Sequence, residues 1–251
     1  MKTNFKIGVI GGSGMENPDF FSSSHLKEVS TSYGNPSSQL ISGSIENIPV
    51  IAISRHGPNH SINPTNVNYR ANISALKEEG CTHILAVTAC GSLRQRIAPG
   101  NFVFPDQFID RTTKRFSTFF DSKDVRHVPM GEPFSSWMRK CLVEACNSLG
   151  FKHHNNGTIV TIEGPRFSTK AESLMFRSWG CDIINMSTVP EIVLARELNL
   201  EYQTIAMSTD YDCWHESEEE VTMEMIYAVM EKNVNNVKKL IKRVIPLICK
   251  Q

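Results

Sequence analysis

The sequence predicts a single α/β domain built on a largely buried sheet. Three observations carry this. Short apolar runs of strand length alternate with helical stretches along all 251 residues. One run, His83 to Thr88, is apolar almost throughout, as in a central strand covered on both faces. This length allows one large domain or two small ones, and no repeat, low-complexity segment or linker divides the chain, so residues 1–251 read as one.

Composition narrows the function classes. Lys+Arg and Asp+Glu both number 26, so formal charge is zero, and no clustered basic excess marks a nucleic-acid partner. The apolar run Ile7 to Ile10 is too short for a signal segment or a membrane span. The seven cysteines are scattered without a Cys-x-x-Cys pair, which argues against zinc and a disulfide framework and predicts reduced thiols in the cytoplasm. No His, Cys or carboxylate cluster has ligand spacing, so no metal is expected.

Phe5 to Ile10 reads as the first strand, ending in Gly11-Gly12-Ser13-Gly14. Glycines there can turn the backbone and aim N–H groups at an anion beside the Ser13 hydroxyl, or make a plain tight turn. The letters match neither the dinucleotide fingerprint nor a Walker loop. Ser22 to Pro49 is strand-and-turn material with a loop at Tyr33-Gly34-Asn35-Pro36. Val50 to Ser54 is a strand running into Arg55-His56-Gly57-Pro58-Asn59-His60. An Arg and a His leaving a strand together can offer an oxyanion a bidentate fork and a second donor, although the pair is also common on surfaces. His60 reads as structural or solvated.

Asn68 to Glu79 is helix-like and closed by Gly80. The apolar strand then ends in Thr88-Ala89-Cys90-Gly91-Ser92, small residues against which a ligand could reach the backbone, in the usual place for open α/β sheets. Phe102 to Ile109 is a further strand, with Pro105 suggesting an edge or bulge. Arg111 to Asp121 is a charged, aromatic loop, and His127 precedes another at Pro129-Met130. Pro133 to Leu149 reads as a helix, and Gly157 to Ile162 as a strand leading into Glu163-Gly164-Pro165-Arg166-Phe167-Ser168-Thr169. Phe167 suits either a face for a base or a core plug.

Thr169 to Trp179 is a helix and Ile183 to Met186 a short strand. In Ser187-Thr188-Val189-Pro190-Glu191, Thr188 is the expected N-cap of the next helix, with Glu191 at its positive end in a structural role. Thr222 to Ile248 is a long helix with a core stripe at Ile226, Val229, Met230, Val234, Val237, Leu240 and Ile241, after a solvated loop from His215 to Glu220.

Tyr202 to Met207 reads as a buried strand that delivers Ser208-Thr209-Asp210-Tyr211-Asp212-Cys213-Trp214. Two carboxylates one residue apart on an extended chain point the same way. Adenine shows an acceptor, N7, beside a donor, the N6 amino group. Asp210 and Asp212 together could meet both, whereas the O6 of a 6-oxopurine would face a carboxylate. The same letters also make a solvated acidic turn.

With these residues collected, the chain resembles the 5'-methylthioadenosine phosphorylases of the trimeric branch of the purine nucleoside phosphorylase family. The resemblance lies in IGGSG (10–14), RHG (55–57), VNYRANISALKEEGCTHILAVTACGSLR (67–94), DQFIDRTT (106–113), TIEGPRFST (161–169), INMSTVPE (184–191) and STDYDCW (208–214). These span most of the chain. The resemblance implies a mixed, twisted sheet curling towards a barrel and flanked by helices, and a homotrimer. It implies that Ser13, Arg55, His56, Thr88, Ala89 and Ser187 hold inorganic phosphate, a co-substrate rather than a cofactor. Met186 would lie by the ribose, Phe167 on the base, and Asp210 and Asp212 at N7 and N6. Met223 and Ile226 match positions lining the 5' pocket, although their spacing is equally that of core residues. His127 matches a residue lent across the subunit interface to the 5' end. Longer animal members continue past the match at Ile245-Pro246-Leu247-Ile248 into a tail that helps close a neighbour's 5' pocket, so acceptance of a 5'-hydroxyl is left open. The implied reaction is phosphorolysis of methylthioadenosine, with Asp210 as the acid and a preference for 6-aminopurines. The alternatives are a phosphorylase preferring adenosine, a hydrolytic nucleosidase, and a nucleoside-binding protein without activity.

Overall fold

β5 (His83–Ser92) is the strand to which the whole sheet is referred, in a computed structural model that describes residues 5–11, 20–121, 124–216 and 223–250. It runs past Thr88, so Ala89 to Ser92 are strand rather than loop. β11 (Glu201–Asp210) lies parallel along one edge, with Glu201 opposite His83 and Met207 opposite Ala89. The other edge is shared. β1 (Ile7–Gly11) pairs in parallel from His83 to Ala86, and β10 (Ile183–Asn185) pairs antiparallel at Gly91 and Ser92. Between them Val87 to Cys90 has no strand partner on that edge among the described residues, and the sheet opens there. Such a divergence of neighbouring strands is where open α/β sheets take their ligands.

Outward from β1 lie β4 (Ile48–Ser54), in parallel, and then β3 (Leu40–Ile45) and β2 (Ser22–Lys27), both antiparallel. Glu46 and Asn47, with φ of 48° and 65°, make the tight turn between β3 and β4, as a primed hairpin requires. Beyond β10 come β9 (Thr158–Ile162) and β7 (Gln107–Arg111), while β6 (Phe102–Val103) joins β11 and β8 (His153–His154) joins β6. The result is a mixed sheet of 11 strands that branches at β5 and does not close into a barrel among the described residues. The single strand expected over Phe102 to Ile109 is two, β6 and β7. Pro105 stands between them without an N–H to give a ladder, and its carbonyl accepts from Gln203 Nε2 at 3.0 Å.

Alternation along β5 and β11 builds two cores. Leu85, Val87, Ile205 and Met207 face α2 (Ser136–Leu149) and α5 (Met223–Ile248); Ile84, Ala86, Tyr202 and Ala206 face α1 (Tyr69–Glu78) and α4 (Thr188–Glu197). A smaller cluster of Leu93, Val160, Phe176, Cys181 and Ile184 seats α3 (Lys170–Ser178). Ser135 caps α2, its hydroxyl accepting from Met138 N, and Thr169 caps α3 in a capping box with Glu172. The cap expected at Thr188 is not formed: Ser187 holds the N-cap position of α4, and Thr188 is the first helical residue, its hydroxyl accepting from Asn185 Nδ2 at 2.8 Å. The stripe of α5 buries Val237, Leu240 and Ile241, while Val234 is half-buried. Residues 217–220 of the expected loop and the side chains of Ile226 and Met230 lie outside the described residues. No helix among the described residues is long and apolar enough to cross a membrane.

Candidate active site

The opening beside Val87 to Cys90 is the mouth of a cavity whose wall includes Arg55, His56, Thr88, Ala89, Met186, Ser187, Phe167, Asp210 and Asp212. Arg55, at the end of β4, reaches β5 and donates from Nη1 to the Val87 carbonyl at 2.8 Å. Asp210, at the end of β11, is paired with Gly91 of β5. The two are therefore offset by the stretch from Val87 to Gly91, about 13 Å at the usual strand rise.

At the Arg55 end the charge is already answered. Glu191 in the first turn of α4 takes Nε of Arg55 at 2.5 Å and Nη2 at 3.0 Å, and Tyr202 donates to the same carboxylate at 2.8 Å. Arg55 is 2% exposed and Glu191 fully buried. Burial acts to lower the guanidinium pKa, but the Glu191 carboxylate outweighs it and the pKa is raised, so Arg55 stays cationic. This changes the expectation of an open bidentate fork: the fork is closed on Glu191, leaving one N–H on each of Nη1 and Nη2. Glu191 does sit at a helix start, yet its main partner is this cation.

Thr88 and Ser187 are joined by hydroxyls 3.0 Å apart, and Asn185 Nδ2 reaches both at 3.2 and 3.4 Å. Asn185 is itself held by Thr161, whose hydroxyl donates to Oδ1 at 2.8 Å. His56 is buried beside Arg55, with Nδ1 2.9 Å from the Ile62 carbonyl.

At the other end the two acids meet by a route the strand period did not suggest. β11 has a bulge between Ser208 and Asp210 and stops there, and Asp212 sits in a short 3-10 turn with φ 49°. That turn lets the Asp212 N–H donate to Asp210 Oδ1 at 2.8 Å, while Thr209 donates to Oδ2 at 2.7 Å. The Ser168 hydroxyl is shared between the Asp212 oxygens at 2.7 and 2.8 Å. Trp214 pins the turn by donating to the Ser92 carbonyl at 2.7 Å. Gly91 lies beneath: a Cβ there would come within 3.0 Å of Asp210 Oδ1 and 3.3 Å of Asp212 Cβ. Phe167 is 37% exposed on the cavity wall, which rules out the core plug.

Of the residues singled out in the sequence, Arg55, His56, Thr88, Ala89, Phe167, Met186, Ser187, Asp210 and Asp212 line one cavity. His127 is exposed and is not on its wall. Ser13 and the side chains of Met223 and Ile226 lie outside the described residues. Sequence reasoning missed Ser168 and Asn185, and it read Glu191 from its helix alone, without the Arg55 pair. Only Asn185 carried a local signal, a polar residue inside an apolar strand.

The sequence profile of the phosphorylase superfamily matches residues 6–246. The S-methyl-5'-thioadenosine phosphorylase of Danio rerio is 55% identical over 98% of this chain and 90% of its own length. The methylthioadenosine phosphorylase of Schistosoma mansoni, solved with adenine, superposes with a TM-score of 0.94 at 41% identity, covering 98% of this chain and 93% of that one. A mutant from the same organism, named adenosine/methylthioadenosine phosphorylase and solved with methylthioadenosine, superposes with a TM-score of 0.93 at 40% identity, over 98% and 92%. The sheet that opens at β5, the cavity in that opening and these likenesses lead to one assignment: the chain belongs to the phosphorylase superfamily, among its S-methyl-5'-thioadenosine phosphorylases.

Proposed function

We propose that this chain cleaves 5'-methylthioadenosine with inorganic phosphate to give adenine and 5-methylthioribose 1-phosphate. The observation that carries the reading is that the acid pair and the buried Arg55-His56 strand end line one cavity, separated along β5 by room for a pentose. The C1'–N9 bond breaks with its electron pair going to the purine. A phosphate oxygen then bonds C1', and the proton that hydrogen phosphate gives up balances the one adenine gains. Positive charge builds on the sugar and negative charge on the base, so catalysis is mainly positioning and electrostatics.

In this reading Ser13, Arg55, His56, Thr88, Ala89 and Ser187 hold phosphate, and Met186 lies along the ribose. Phe167 stacks on the base, Asp210 shares a proton with N7, and Asp212 accepts from the N6 amino group. The exposed position of His127 supports lending it to a neighbour's 5' pocket in a homotrimer, with Met223 and Ile226 on the home side of that pocket. No cofactor takes part; phosphate is a co-substrate. The seven cysteines are all free thiols, which suits a cytoplasmic enzyme.

The test is adenine release from methylthioadenosine with and without phosphate. Release that stops in phosphate-free buffer is expected; undiminished release identifies a hydrolytic nucleosidase instead. A structural relative named for both adenosine and methylthioadenosine favours a second reading, in which a 5'-hydroxyl is also accepted. Turnover of adenosine beside methylthioadenosine separates the two.

A further inference from the structure

His56 carries an inference that rests on the phosphate reading above and sharpens it. Its Nδ1 lies 2.9 Å from the Ile62 carbonyl, which can only accept, so Nδ1 bears a hydrogen. The Ile62 N–H donates back to the His56 carbonyl at 2.9 Å, closing the loop on itself. Gly57 permits this at φ 69°, where a Cβ would press within 3.0 Å of Ser61 Oγ and 3.1 Å of the Ser37 carbonyl. The ring is also stacked on His60, with centroids 4.3 Å apart. Burial first, then the charges of Arg55, His60 and Arg115, pushes His56 down to about 3, while the bond to Ile62 acts the other way. A neutral ring with its hydrogen on Nδ1 offers only a lone pair at Nε2. The sequence suggests a second donor at this position; the geometry supplies an acceptor.

We propose that His56 accepts a hydrogen bond from the bound anion, so that the site selects an ion carrying a proton, hydrogen phosphate or hydrogen arsenate, and discriminates against sulfate. At neutral pH sulfate matches hydrogen phosphate in shape and charge but has no proton to give. One of its oxygens would face the Nε2 lone pair, and an unsatisfied acceptor of this kind corresponds to roughly a ten- to hundredfold loss of affinity.

Inorganic phosphate, arsenate and sulfate are titrated into the full-length protein at neutral pH by calorimetry. Arsenate is expected within about threefold of phosphate and sulfate at least about tenfold weaker. In His56→Gln the side-chain amide can turn either its N–H or its carbonyl to the anion, so the ratio falls towards one. Nitrogen-15 spectra of the unaltered protein report the ring directly, with the hydrogen expected on Nδ1, and keep the test sound if the variant does not fold. Sulfate binding as tightly as phosphate, no anion binding, or a hydrogen on Nε2 overturns the proposal. Adenine release that needs no phosphate overturns the reaction proposed above instead, and calorimetry still reads the anion ratio.

Discussion

The two ends of the cavity are held in opposite ways. At the Arg55 end a buried cation is met by a buried carboxylate 136 residues further along the chain, and a tyrosine completes the set. At the Asp210 end the carboxylates are held by uncharged donors, a backbone N–H and two hydroxyls. Most of the Arg55 field is cancelled before an anion arrives, so that end must rely on hydrogen-bond geometry from Thr88, Asn185 and Ser187. The acids, by contrast, accept from neutral donors that fix their direction. Phosphate would be selected by shape and proton count, the purine by charge.

The sharpest way to separate the ends is Asp210→Asn, which removes the proposed acid and leaves the Arg55 end untouched. The expected loss in kcat/KM for methylthioadenosine is about 10² to 10⁴-fold, with phosphate affinity within a factor of about two. Activity like that of the parent would remove Asp210 from the mechanism. Glu191→Gln acts on the other end. It keeps the shape but leaves the Arg55 charge buried without its counter-ion, at a cost of about 3–5 kcal/mol in denaturant unfolding. The KM for phosphate should fall, because the Arg55 field is no longer cancelled, while the KM for the nucleoside changes little. Equal changes in both would mean that the ends are one unit and the contrast fails.

How much of this could be read from the letters follows the same contrast. The acid pair, Phe167 and the strand ends were visible because each lies in a short motif beside a recognisable strand. The order of the sheet was not, since the sharing of one β5 edge between β1 and β10 depends on pairings between distant segments. Glu191 was placed at its helix start, but its Arg55 partner was not foreseen for that reason: the helix is local and Arg55 is not. The two acids reach one cavity wall by a route the letters did not suggest, because a bulge and a left-handed Asp212, not strand alternation, bring them together. Strand length failed where Pro105 could not donate.

Acidity probes the Arg55 end from another side. The folded pKa of His56 is about 3 against 6.5 unperturbed, with burial as the first cause. Below pH 6.5 the unfolded chain therefore binds a proton that the folded chain refuses, and stability is lost as pH falls through that window. His83 and His154, both lowered chiefly by burial, act in the same sense. Glu163, held near 2 against an ordinary 4.5 by donors that outweigh its burial, joins only below 4.5. From 6.5 down to 4.5 these three histidines act before Glu163 does. His56→Gln should flatten the pH dependence of the unfolding free energy from urea titrations there, by about 1.4 kcal/mol per pH unit. An unchanged slope would mean that His56 is charged in the folded protein.

The smallest effect tests the Asp210 end. Ser168 donates one hydroxyl hydrogen, shared between the two Asp212 oxygens, and thereby fixes the plane in which that carboxylate meets a purine. Ser168→Ala removes a hydrogen bond to a charged group. Asp212 lies on the wall of a cavity that water can enter, so solvent takes over part of the bond, and a net effect of about 1 kcal/mol is expected, below the 1.5–3 kcal/mol of a dry site. Little of that should appear in folding stability, because the turn is still pinned by Trp214 and by the Asp212 N–H. It should appear as a fall of about fivefold in the preference for 6-amino over 6-oxo nucleosides, since a carboxylate free to rotate no longer sets both acceptors against one amino group. A preference that survives intact would assign the discrimination to Asp210 alone, and the neutral scaffold around Asp212 would then be packing rather than aim.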